Sequence, residues 1–148
     1  MTTANAHRTA DIASSHRLAY GIAGGLAGGL VFGVLMQMMG MISMIGQLVG
    51  TPSTAVGWVV HLAISAFLGA LFALLFGNRA TTFGIAAIAG MAYGVVWWVL
   101  GALLAMPARL GMEVFTLNAM AWQSLMGHVL YGLVLGLVYA ALVRREQH

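Results

Sequence analysis

The chain has no cysteine, no lysine and only three acidic residues in 148. Without cysteine, disulfides, iron–sulfur clusters and thiolate metal sites are excluded. The acidic residues are Asp11, Glu113 and Glu146, and none falls inside a long apolar run. No carboxylate is therefore placed for buried acid–base chemistry, and no nucleophile–base pair stands out. The glycine-rich run at residues 21–29 is not a phosphate loop, because no lysine follows it. These absences argue against an enzyme. Charged residues make up 6% of the chain, against about 25% in soluble domains. The six basic residues are arginines dispersed along the sequence, so the sequence pI near 10.0 marks no nucleic-acid patch.

What the chain does have is apolar length. Mean hydropathy is +0.96, and 61% of residues are hydrophobic. No charge falls between Arg17 and Arg79, between Arg79 and Arg109, or between Glu113 and Arg144. A bilayer core takes roughly 20 apolar residues per helical crossing. The first stretch accommodates two crossings and the others one each. The expected fold is all-α: a polytopic membrane four-helix bundle with spans near 18–39, 54–76, 82–106 and 118–143. Residues 17–143 then form one membrane domain. Residues 1–16 are polar and read as a disordered cytoplasmic tail, and 144–148 as a second tail. The first apolar segment is too long and too glycine-rich for a cleaved signal, so it reads as a retained span. Pro52-Ser53-Thr54 and Asn118 are helix-start signals, Gly77-Asn78 is a stop, and Pro107 is expected to end the third span.

Arg8, Arg17, Arg79, Arg144 and Arg145 fall on one side of this topology and Arg109 alone on the other. By the positive-inside rule both termini face the cytoplasm of a bacterial inner membrane. Trp58 and Trp122 then sit near the outer ends of their helices, where aromatic belts occur. Arg109 and Glu113 are spaced for a surface ion pair.

A two-span unit recurs. Gly29, Gly33 and Gly40 align with Gly90, Gly94 and Gly101, and Phe32 aligns with Tyr93. His61 and His128 each head a run with Leu-Gly at its eighth and ninth positions. The expectation is two parallel two-helix repeats, related by an axis along the membrane normal. Small residues recur every fourth position: Gly21, Gly25, Gly29 and Gly33; Gly57, His61, Ser65 and Gly69; Ala86, Gly90 and Gly94; Ser124, His128, Gly132 and Gly136. Such rows let membrane helices approach closely.

Both histidines lie on these rows, so they are expected to face other helices. The simplest reading is structural: each imidazole makes an interhelical hydrogen bond to a carbonyl, to Ser65 or to the other histidine. Polar residues at membrane depth are also functional candidates by default. Two histidines at matched depth suit the axial ligands of a haem b. Nine of the eleven methionines map to the same half, and thioethers with imidazole suit Cu(I), with Met38 and Met41 as the nominated ligands beside His61 and His128. A proton or solute path through the histidines and Gln37 is a third reading. Residues 40–52 are uncharged and are expected to form a short interfacial helix or fold back, capping the histidine layer together with 107–117.

The motifs Met39-Gly-Met41, Gly57-Trp-Val-Val-His61, Met106-Pro107 with Leu110-Gly-Met112, and Ser124-Leu-Met-Gly-His128-Val-Leu-Tyr-Gly132 give the chain a resemblance over residues 20–143. It resembles small four-span bacterial inner-membrane proteins of unknown function. That resemblance implies a helical bundle and transfers no catalytic residue. The expected role is a non-enzymatic binding or accessory module. Its partners are the lipid bilayer and either further copies of itself or a larger membrane complex.

Overall fold

The computed structural model describes the backbone of residues 3–146 and the side chains of residues 15–146. Six α-helical pieces follow in order: α1 (Thr3–Met38), α2 (Ile42–Gln47), α3 (Thr54–Phe76), α4 (Phe83–Trp97), α5 (Met106–Leu110) and α6 (Ala119–Glu146). Between α4 and α5 the chain runs as a π-helix over Trp98–Ala105. There is no strand among the described residues. Four helical stretches are long and apolar enough to cross a membrane: Ser15–Met38, Thr54–Phe76, Phe83–Leu110 and Ala119–Glu146.

Local chemistry sets the starts. The Ser53 side chain accepts a hydrogen bond from the Val56 amide at 3.2 Å, Thr82 from Ile85 at 3.4 Å, and Asn118 from Ala121 at 3.0 Å. Each satisfies an amide that the first helical turn leaves without a partner. The polar stretch expected to be disordered is helical from Thr3. It holds no proline and no glycine before Gly21, so a helix nucleated in the apolar span propagates back through it. Of the second expected tail, residues 144–146 continue α6, and Gln147 and His148 lie outside the described residues.

The third span also departs from expectation. Pro107 does not end it; the helix continues to Leu110 and stops at Gly111, which takes the left-handed φ of 68°. Proline is tolerated there because it opens the first turn of α5. Its missing N–H would strip Leu103, four residues back, of a helical donor. The Phe115 amide supplies that donor instead, at 2.8 Å from the Leu103 oxygen. Phe115 holds a positive φ of 55° in the loop that reaches back. Because the helix stops at Gly111, Glu113 is not on the next turn beyond Arg109. The expected ion pair between them is absent, and the one ion pair among the described side chains joins His16 to Glu146.

The helices are arranged α3–α1–α6–α4, with α1 packed on both α3 and α6, and α4 packed on α6. Glycines make these contacts backbone to backbone. A methyl added at Gly25 would strike the Ser65 carbonyl, and one at Gly69 the Gly21 carbonyl. At Gly29 it would strike the Ser65 side chain, and at Gly33 the Trp58 ring. Across the other hairpin, Gly90 and Gly132 each lie under the other's carbonyl, Gly94 lies under that of His128, and Gly136 under that of Ala86. A second row, Gly24 and Gly28, seats α1 against the Leu135 and Tyr131 carbonyls of α6. Close approach of this kind is how helices associate where no hydrophobic drive exists.

The pair α3 and α4 is the exception, with little direct contact. Tyrosine hydroxyls span the gap. Tyr93 of α4 donates to the Leu68 carbonyl at 2.8 Å, Tyr131 of α6 to Ser65 at 2.8 Å, and Tyr139 of α6 to Gly77 at 3.2 Å. Towards the terminal end of the bundle, Phe72, Phe76, Tyr93 and Tyr139 fill the gap as an aromatic cluster, edge to face except for the tilted pair Phe72–Phe76. Phe72, Leu135 and Tyr139 are completely buried. At the opposite end, which carries α2 and the 107–118 loop, nothing equivalent fills it. There Ile42 and Ile45 of α2 are buried as the helix folds back onto α3.

Candidate functional site

The unfilled end of the α3–α4 gap is a cavity of about 400 Å³. Its polar lining consists of His61 and Ser65 from α3, Ser124, His128 and Tyr131 from α6, and Arg109 from α5. Phe32, Met36, Met41, Ile45 and Met106 supply apolar walls. The small residues Gly101, Ala102 and Ala105 of the π segment form the α4 side. A π-helix interrupts the ordinary ladder and is frequent at functional sites. Here it presents three small residues to the cavity within five positions. Ile64 and Ala105 line the cavity and are also exposed on the outside of the bundle. The cavity therefore opens sideways between α3 and the third span.

The sequence brought His61 and His128 forward, and the structure places both in this cavity. They are bonded differently. The His61 Nε2–H donates across to the Gly29 carbonyl of α1 at 2.9 Å. The His128 Nδ1–H donates within its own helix, to the Ser124 carbonyl at 2.8 Å, with the Ser124 hydroxyl oxygen 3.3 Å from the same nitrogen. A carbonyl only accepts, so these bonds fix which nitrogen of each ring carries the proton. Neither ring bonds to the other. Ser65 does not reach the imidazole; its hydroxyl donates to the His61 carbonyl at 2.8 Å. The remaining nitrogens, Nδ1 of His61 and Nε2 of His128, have no partner among the described residues. They are not sealed in protein either, because the only buried and unpartnered side-chain nitrogen or oxygen among those residues is Trp97 Nε1. Both are open to the cavity they line.

Phe32 links the two rings. Its centroid is 5.5 Å from that of His61 and 4.8 Å from that of His128, in edge contact with both. Gly127 permits this, since any side chain there would collide with the Phe32 ring. Trp58 packs edge-on to His61 at 6.2 Å.

Other nominated residues fall elsewhere. Gln37 accepts a hydrogen bond from the Trp58 indole and does not line the cavity. Met38 is 79% exposed and points away from the histidines, whereas Met41 lines the cavity. About half a helical turn separates two faces at this position: Met36 is buried in the cavity wall and Met38, two residues on, is outside. The methionines that reach the imidazoles' cavity are Met36, Met41 and Met106. No cluster of three or more His, Asp or Glu side chains that could hold a metal occurs among the described residues. Sequence reasoning missed Phe32, Ser124 and Tyr131 as site residues. Ser124 and Tyr131 stand four before and three after His128, the spacing of neighbours on one helix face, so that signal was present. The Phe32 contact carries no comparable sequence signal.

Four membrane-length helices around a side-opening, histidine-bearing cavity define a small multi-pass membrane protein. Residues 15–148 match the family of unknown function DUF6789, and the chain belongs to that family. No curated protein and no solved structure matches it.

Proposed function

We propose that the protein is a non-enzymatic binding module of the bacterial cytoplasmic membrane, taking a small organic molecule from the bilayer into the α3–α4 cavity. The observation that carries this is the cavity itself, about 400 Å³ with apolar walls and two imidazoles. Ligand sites are typically about 300–1,000 Å³, largely apolar, with a few placed polar groups. The opening between Ile64 and Ala105 faces where lipid would lie. The arginine asymmetry supports cytoplasmic termini. The matched glycine contacts of α1 with α3 and of α4 with α6 support reading the chain as two copies of one hairpin. The small-residue rows available to a second copy or a larger complex are used inside the bundle, which favours lipid as the surrounding partner.

Copper is the second reading, because Met36, Met41 and Met106 share the cavity with both imidazoles. Haem b is less favoured, since a macrocycle held by both rings would have to displace Phe32. One preparation separates the three. Purified protein in detergent is extracted with organic solvent for mass spectrometry, its metals are measured, and its visible spectrum is recorded. The expected result is an organic molecule that co-purifies with the wild type and is lost when the cavity is filled by Ala102→Phe. Equal recovery from both proteins rejects the binding reading. Stoichiometric copper or a Soret band would replace it with a metal or haem site.

A further inference from the structure

The hydrogen-bonding inventory at the deep end of the cavity is weighted towards acceptors, and this deepens the binding reading, on which it rests. Of the donors at its deep end, all but the Ser124 hydroxyl are spent on the protein. The Ser65 hydroxyl goes to His61, the Tyr131 hydroxyl to Ser65, the His61 Nε2–H to Gly29 and the His128 Nδ1–H to Ser124. What stays open besides that hydroxyl is acceptor capacity: Nδ1 of His61, Nε2 of His128, and lone pairs on the Ser65, Ser124 and Tyr131 oxygens. Uncharged imidazole is the form expected at membrane depth, where a charged side chain is expensive. In that form each ring's second nitrogen is a pure acceptor. A ligand that brought only carbonyl or carboxylate oxygens would meet the Ser124 hydroxyl but would leave both imidazole nitrogens facing lone pairs. A ligand bearing hydroxyl hydrogens would satisfy them.

The walls specify the rest. Phe32, Tyr131 and the two imidazoles surround the polar end with ring edges and faces. The bare backbone at Gly101 and the methyls of Ala102 and Ala105 form a shallow opposite wall. The lateral opening gives an alkyl tail a route into the bilayer. We infer that the site selects lipid-soluble hydroxy-aromatic molecules, of the phenol or hydroquinone class, over their ether, quinone or carboxylate counterparts. The hydroxyl docks on the open imidazole nitrogens and the tail leaves between α3 and the π segment. Arg109, exposed at the loop end of the cavity and unpaired among the described residues, is the feature that would favour an anion instead.

The test uses the full chain in nanodiscs and three probes of similar shape: hexylphenol, its methyl ether hexylanisole, and hexylbenzoate. Binding is followed by quenching of tryptophan fluorescence, with an empty-nanodisc control for partitioning. Hexylphenol is expected to bind about tenfold more tightly than hexylanisole, the effect of one or two net hydrogen bonds. In His128→Leu that preference should fall to within about twofold while hexylanisole binding is unchanged. Equal binding of phenol and ether to the wild type overturns the donor-selective inference and leaves the binding cavity standing. Tighter binding of hexylbenzoate, lost in Arg109→Gln, overturns it in favour of an anion site. If none of the probes binds, and Ala102→Phe changes nothing, the binding reading falls with it. Should His128→Leu fail to fold, the wild-type comparison of phenol with ether still decides.

Discussion

The two hairpins are built on the same seam and use their histidines differently. In each, an every-fourth-residue row of glycines brings two helix backbones together. In the first, His61 sits at the seam and closes it by donating to Gly29 of the neighbouring helix. In the second, His128 turns back on its own helix, and the seam is closed by Gly94 lying under the His128 carbonyl. A histidine in a row of small residues thus has a structural use in one hairpin and not in the other. An interhelical bond explains His61. It does not explain His128, whose ring is held in position by Ser124 and left open to the cavity. The open side of the bundle teaches the same lesson: where glycines meet, the helices touch, and where tyrosine hydroxyls reach across to carbonyls, a gap is held open.

The largest expected effects test whether the seams are equivalent. Gly25→Leu and Gly132→Leu both push a side chain into backbone on the facing helix, which cannot yield as a flexible side chain can. Each should destabilise the fold by about 3 kcal/mol or more, the upper range for overpacking. Thermal unfolding in detergent, read by circular dichroism, checks both. Gly101→Leu is the contrast, because a Cβ there meets nothing within 4 Å. Its thermal stability should stay close to wild type, and a large loss would show that the π segment packs more tightly than its surroundings indicate.

Next in size is the comparison of the histidines. His61→Leu removes an interhelical hydrogen bond of a kind averaging about 0.6 and reaching about 1.7 kcal/mol in membrane proteins. His128→Leu removes only a bond within one helix and should lower stability less. Equal losses in the two variants would restore the simpler view that both imidazoles serve only to join helices. Tyr131→Phe removes the hydroxyl that ties α6 to Ser65 across the cavity, an interhelical bond of the same kind as that of His61, and should cost about as much.

Much of this bundle was legible because bilayer physics leaves a chain so few choices. Charge-free runs of the right length, Ser53 and Asn118 as caps, and the glycine rows are all local signals, and each marks a feature of the fold. The second glycine row was also there to be read: the doublets Gly24-Gly25 and Gly28-Gly29 present two adjacent faces of α1, one to α6 and one to α3. What could not be read depends on which helix neighbours which. That Gln37 turns to Trp58, that Met36 faces in while Met38 faces out, and that Phe32 touches both imidazoles follow from the order α3–α1–α6–α4. A single sequence of apolar helices does not carry that order. Pro107 misled for a different reason: proline is a reliable stop only when nothing supplies the lost donor, and the distant Phe115 amide does.

The smallest expected effect lies at that loop, and it sharpens the contrast between the hairpin turns. The first hairpin's connection uses glycine at both positive-φ positions, Gly40 and Gly50. The second uses Gly111 and then Phe115, a bulky residue in a conformation that L side chains rarely adopt. Phe115 is half exposed, so its ring gains little from packing. If its amide is what matters, Phe115→Gly keeps the bond to Leu103, relieves the backbone strain, and raises stability by about 0.5 kcal/mol or less, since glycine's entropy cost offsets part of the strain relieved. Phe115→Pro removes the same amide. It should lower stability and fray the third span near Leu103, seen as faster amide exchange there. A Phe115→Gly variant less stable than wild type would mean that the exposed ring itself makes the difference, through contact with the membrane surface.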